Sequence, residues 1–116
     1  MEIWFDACTG KHVRYGVAIA KRLRERGHNV IFTTREHPDT LDLCKTLGEI
    51  PVVVGRYRPD SLQSRLEESA RRMLQFIEMF ENNTPNVAIS SQSVELCRVA
   101  FGLGIHTLMT ADTPHA

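Results

Sequence analysis

Residues 3–34 read IWFDACTGKHVRYGVAIAKRLRERGHNVIFTT, and the change of period inside this stretch decides the fold. Ile3 to Ala7 is a short β-forming run. From about Lys11 to Arg26 the apolar Val13, Val17, Ala20 and Leu23 recur three or four residues apart, the spacing of one helix face. Gly27 stands where a helix-terminating glycine belongs, and His28 to Thr34 returns to β-forming residues. Strand, helix and strand in this order make a βαβ unit, whose crossover joins parallel strands.

The same alternation continues outward. Pro38, Asp39 and Asp42 open a second helix that ends at Gly48, and Pro51 to Gly55 is a third strand. Asp60-Ser61-Leu62-Gln63 has the form of a capping box for the longest helix, which runs to about Asn82. Leu62, Leu66, Ala70, Met73, Ile77 and Phe80 are its expected packing stripe. Val87 to Ser90 is a fourth strand, Ser91 or Ser93 caps a helix that Gly102 and Gly104 break, and Ile105 to Thr110 is a fifth strand. Right-handed crossovers then predict a Rossmann-like three-layer α/β/α fold with a five-stranded parallel sheet in order 3-2-1-4-5. Residues 1–116 form a single domain on this reading, with a crevice where the winding reverses between strands 1 and 4.

Composition narrows the function classes. Fourteen basic residues balance fourteen acidic ones, so the strong positive field that a nucleic-acid backbone requires is absent and nucleic acid is not an expected partner. Cys8, Cys44 and Cys97 form no Cys-x-x-Cys pair and number three, which suits free thiols in a reducing compartment. Met1 leads directly into Glu2-Ile3-Trp4-Phe5 without a basic and then apolar leader, so neither a signal peptide nor a membrane span is expected, and the location is read as cytoplasmic.

Ligands of open parallel sheets bind beyond the carboxyl ends of the strands, which here carry polar residues. The first loop, Asp6-Ala-Cys-Thr-Gly-Lys-His12, has neither a dinucleotide fingerprint nor a P-loop. Thr9, Gly10 and Lys11 read either as a plain turn or as a helix start that receives an anion. Ser91, Gln92 and Ser93 read either as a cap or as a cap that also grips a phosphate or sugar hydroxyl. His12, and His115 beyond the last strand, are the candidate general bases, with Asp6 or Asp112 as the carboxylate beside them. Arg56 and Arg58 beside Tyr57 read as a solvated loop, with anion binding as the other reading. No His, Cys and Asp spacing suggests zinc, and no metal is expected.

The order Met-Glu-Ile-Trp-Phe-Asp6, Lys11-His12-Val13, Arg26-Gly27-His28-Asn29-Val30, Thr33-Thr34-Arg35-Glu36, Arg98 to Gly104 and Asp112-Thr-Pro-His-Ala116 resembles a prokaryotic family of unknown function. That family is similar to GT-B glycosyltransferases and to UDP-N-acetylglucosamine 2-epimerases. The resemblance implies the N-terminal, acceptor-side domain of a sugar-transfer or sugar-nucleotide enzyme. It also implies a nucleotide sugar as substrate, no separate cofactor, and a second Rossmann-like domain that holds that nucleotide sugar. Lys11 and Thr9 stand where the family has proline and asparagine. Ser91-Gln92-Ser93 lacks the acid that the 2-epimerases carry there, which speaks against epimerase chemistry. Without its second domain such a lobe is expected to be nearly inactive. The rival readings are a non-enzymatic binding or assembly module, paired with another domain or another copy, and a small nucleotide-binding domain.

Overall fold

A computed structural model describes residues 1–111. In chain order they form β1 (Glu2–Asp6), α1 (Gly10–Glu25), β2 (Asn29–Glu36), α2 (Pro38–Thr46) and β3 (Val52–Arg56). There follow α3 (Leu62–Phe80), β4 (Val87–Ser90), α4 (Val94–Leu103) and β5 (His106–Met109). All four strand pairs are parallel and the order is β3-β2-β1-β4-β5, as the alternating pattern predicts.

The strict alternation of β1 sends its side chains into two cores. Ile3 and Phe5 join Val13 and Ala20 of α1, Phe32 of β2 and Cys44 of α2 on one face. Trp4 joins Phe76 and Phe80 of α3 and Leu96, Val99 and Ala100 of α4 on the other. Trp4, Phe5, Val13 and Phe76 are wholly buried. Helices thus cover both faces, α1 and α2 against α3 and α4, and β1 is the strand from which the chain winds in opposite directions.

Gly16, inside α1, is where this packing is tightest. A methyl group there would come within 2.6 Å of the Phe5 ring and 3.1 Å of Phe32, two buried rings stacked with centroids 5.6 Å apart. Alanine improves helix propensity by about 1 kcal/mol, but overpacking against rings that have no room to retreat costs about 1–3 kcal/mol. Gly16→Ala is therefore expected to lower stability by about 0–2 kcal/mol in urea unfolding. A variant more stable than the parent would contradict this packing.

Two expectations are corrected. The cap of α3 is Ser61, whose Oγ accepts from Ser64 N at 3.0 Å, one residue after the Asp60 start. More consequentially, the apolar stripe of α3 does not face the sheet. Leu62 and Leu66 are 80% and 72% exposed, Ala70 and Ile77 are exposed, Met73 is half-buried, and of that stripe Phe80 alone is buried. The buried face carries Glu68, Arg72, Phe76 and Phe80. Its rotation follows from two demands: Phe76 and Phe80 each place their rings 4.6 Å from Trp4, and Arg72 must reach Asp6. A hydrophobicity pattern scores Glu68 and Arg72 as surface residues, so the turn of the helix was invisible to it.

Candidate functional site

The crevice at the carboxyl ends of β1 and β4 is organised by a buried carboxylate. Asp6, the last residue of β1, accepts from Arg72 Nη1 at 2.8 Å and Nη2 at 2.5 Å, from Thr33 Oγ1 at 2.8 Å and from Ser93 Oγ at 2.6 Å. Thr33 in turn accepts from Trp4 Nε1 at 2.9 Å, and Arg72 Nε donates to Val54 O at 2.6 Å. One side chain therefore ties β1 to β2, to α3 and to the start of α4. Burial by itself would lower the pKa of Arg72, and the hydrogen bonds and charge of Asp6 more than reverse this. The Asp6 oxygens are taken up by these donors, so the pairing of Asp6 with His12 expected for a base and its carboxylate is not formed.

His12 lies in the first turn of α1, which Thr9 caps by accepting from His12 N at 3.4 Å. Its half-buried ring meets Tyr15 edge-on and has no hydrogen-bond partner among the described residues. Burial, then the charge of Lys11, lowers the His12 pKa from 6.5, against a smaller opposing pull from Asp6. The imidazole is consequently neutral at pH 7 and able to accept a proton.

The serine loop is more committed than its composition suggests. Ser93 caps α4 by accepting from Leu96 N at 3.2 Å, and Ser90 Oγ accepts from Ser93 N at 3.1 Å. Ser91 Oγ accepts from Tyr15 OH at 3.0 Å and donates to Thr110 O at 3.3 Å. Gln92 is exposed at φ 65°, a left-handed conformation uncommon for a non-glycine residue. These serine hydroxyls serve the fold. What the loop offers an incoming anion is Gln92 and the backbone N–H groups of Val94 and Glu95, which have no acceptor within their own helix.

Thr9, His12, Ser91, Gln92 and Ser93 converge on one cavity of about 170 Å³, as the winding reversal predicts. Gly10 and Lys11 are not in its lining, and Lys11 is exposed. Asp112 and His115 lie outside the described residues. The volume is below the roughly 300–1,000 Å³ of sites that enclose a small molecule, so a nucleotide sugar does not fit in this crevice alone.

Cys8 also lines the cavity, yet burial and then the charge of Asp6 push its pKa up to about 12, and its thiol points a weak donor at Asp6 Oδ2, 3.8 Å away. It is held as a neutral thiol, unsuited to nucleophilic attack at neutral pH. All three cysteines are free thiols, and burial raises the pKa of Cys44 and Cys97 as well.

Three residues that the sequence reading left without a role belong to this region. Tyr15 bridges Ser91 and Thr110, bonds that lower its pKa. Glu95, with Arg72 at 3.7 Å, and Arg35 both line the cavity. Glu95 sits on the first turn of the helix that follows the fourth strand, a place where an acid facing the crevice could have been sought. Among the described residues no three His, Cys, Asp or Glu side chains gather as metal ligands, and no helix is long and apolar enough to cross a membrane.

A parallel sheet wound outward from β1, with a polar crevice at its reversal point, defines a Rossmann-like α/β domain. The chain belongs to the family described as Protein of unknown function (DUF354), whose model matches residues 1–116. It is 30% identical over 116 residues to the uncharacterized protein MJ0665 of Methanocaldococcus jannaschii, covering 100% of this chain and 34% of that protein. Among solved structures it is similar to the glycosyltransferase VinC in complex with dTDP, with a TM-score of 0.73 at 16% identity over 96% of this chain and 34% of that one. It is also similar to a UDP-N-acetylglucosamine 2-epimerase, with a TM-score of 0.70 at 11% identity over 94% of this chain and 31% of that one. At such identities the likeness establishes the fold. The chain spans about a third of the length of each of these proteins.

Proposed function

We propose that this domain is the acceptor-side lobe of a GT-B-like glycosyltransferase or sugar-nucleotide enzyme, with His12 as the general base that takes a proton from the acceptor. The observation that carries the reading is His12 itself: a neutral, half-buried imidazole without a hydrogen-bond partner among the described residues, at the crevice where an open α/β sheet receives its ligand. VinC, bound to dTDP, and the 2-epimerase, named for UDP-N-acetylglucosamine, make a nucleotide sugar the natural donor to test. By itself the lobe is expected to be nearly inactive. The groups that stabilise a departing nucleoside diphosphate are assigned by family resemblance to a second domain, and catalysis requires them in the transition state.

The test is His12→Gln in a full-length family polypeptide containing this domain, assayed with UDP- and dTDP-sugars. Turnover is expected to fall by at least about 100-fold, the contribution of a positioned base, with donor affinity unchanged. Because the His12 pKa lies below 6.5, the acidic limb of the parent's kcat/KM profile should fall at a pH below 6.5 and vanish in the variant. A variant that turns over like the parent would sink the assignment.

The assembly reading keeps one observation of its own. Beside Gln92 and Ser93 a second hollow is lined by Val94, Cys97, Phe101 and Met109, and Phe101 is 82% exposed. Exposed apolar surface of this kind marks contacts with other protein.

A further inference from the structure

Next to the His12 crevice, at the carboxyl ends of β2 and β3, lies a larger cleft of about 400 Å³ whose lining includes Arg35, Arg56, Arg58, Arg65 and Arg72. In a chain of zero net charge, so many guanidinium groups on one concavity are a local device and not a general basicity. The β2–β3 register explains how they meet. Thr34 pairs with Val53 and Glu36 with Arg56, so Val54 and Gly55 both oppose Arg35 in a bulge. A bulge bends its strand and re-aims the residues beside it, here bringing the loop that carries Arg56, Tyr57 and Arg58 alongside Arg35.

The acids nearby are already engaged. Arg72 is paired with Asp6 and, at 3.7 Å, with Glu95 of the cleft lining, and Glu68 is shared between Arg58 at 3.4 Å and Arg71 at 3.6 Å. Arg56 meets the exposed Glu36 at 3.5 Å. Arg65 donates to the Pro59 carbonyl at 3.4 Å and has no acidic partner among the described residues. Arg35 likewise has none. Its Cζ stacks 4.8 Å over the Tyr57 ring, and its buried Nε finds no acceptor. Buried donors are normally satisfied, so an unmet guanidinium donor at the wall of a basic cleft identifies a place for an acceptor oxygen. Stacking on the Tyr57 ring holds the guanidinium plane in place at the wall of the cleft.

We propose that this arginine cleft binds an oxyanion, the phosphate or carboxylate group of an acceptor molecule whose reacting end lies at His12. Arg35 and Glu95 line both the cleft and the crevice, so one elongated molecule can occupy the two together. The oxyanion site stands on the cleft alone, whereas its role in positioning an acceptor rests on the proposed function.

The experiment is isothermal titration of the chain at low ionic strength with inorganic pyrophosphate, with succinate, and with glucose as the neutral control. Saturable binding of one of the two anions is expected, the tighter one telling phosphate from carboxylate, and it should weaken as salt is added. Arg35→Gln and Arg65→Gln should each weaken it about tenfold, the loss of one charge-assisted contact. Arg65 is exposed and bonds to one carbonyl, so its variant reports on the site even where Arg35→Gln disturbs the fold, which circular dichroism would reveal. Absence of saturable binding by both anions, or equal binding by the parent and the Arg65 variant, would overturn the site. A decathymidylate bound more tightly than pyrophosphate would also overturn it, in favour of nucleic acid. Arginine-dependent anion binding with full turnover in the His12 variant would leave the cleft standing and remove the catalytic reading; the opposite pair of results would do the reverse.

Discussion

Arg72→Met is expected to lower the unfolding free energy by about 3–5 kcal/mol, a large part of the roughly 5–15 kcal/mol that holds a domain together. The Arg72 side chain is 2% exposed and that of Asp6 is wholly buried. Removing the cation leaves a carboxylate out of water, with the Thr33 and Ser93 hydroxyls and the weak Cys8 thiol as its remaining donors. The Val54 carbonyl loses its Arg72 partner at the same time. Methionine retains much of the apolar stem, so the loss reports the broken charge pair and not a cavity. Urea unfolding followed by circular dichroism measures it. A loss below about 1 kcal/mol, the range of exposed ion pairs, would mean that water reaches Asp6 and that the carboxylate does not organise the crevice.

Gly55→Ala should act through the same pair from the other side, at a cost of about 2–4 kcal/mol. Gly55 holds φ at +87°, where a Cβ costs about 1–2 kcal/mol. The added methyl would also lie 2.8 Å from Arg72 Cδ and 2.9 Å from Cγ. Those atoms belong to a side chain pinned at its far end by Asp6, so they move aside only by loosening the pair. In the double variant Gly55→Ala, Arg72→Met, the flexible methionine gives way and the two losses should sum to less than their separate values. Additivity within about 0.5 kcal/mol, as for independent sites, would show that the two positions do not communicate.

The convergence of Thr9, His12 and Ser91 to Ser93 was legible because it needs nothing beyond topology. Once the strands are ordered, the loops after β1 and β4 must flank one crevice. The use of each polar group there was not legible. Asp6 reads as a partner for a base, yet it is consumed by Arg72, which is remote in sequence and sits among helix residues that look solvent-facing. Ser91 and Ser93 read either as caps or as caps that also grip a ligand, and the structure shows their hydroxyls bonded to Tyr15, Thr110, Asp6 and the α4 cap. Arg56 and Arg58 are neighbours in sequence and carried anion binding as one of their two readings, but the bulge at Val54 and Gly55 and the rotation of α3 are what set Arg35 and Arg65 on the same wall.

By itself, the sequence determined the number, order and direction of the strands, because alternation of β-forming runs with 3.6-period stretches is a local signal and right-handed crossovers leave few topologies. The tertiary structure alone decided which face of α3 turns inward, because that choice depends on partners from distant segments, Trp4 and Asp6, and not on the helix's own apolar count. A buried charge requires its counter-charge, and the inward face of α3 carries Arg72 to Asp6 while Leu62 and Leu66 stay exposed.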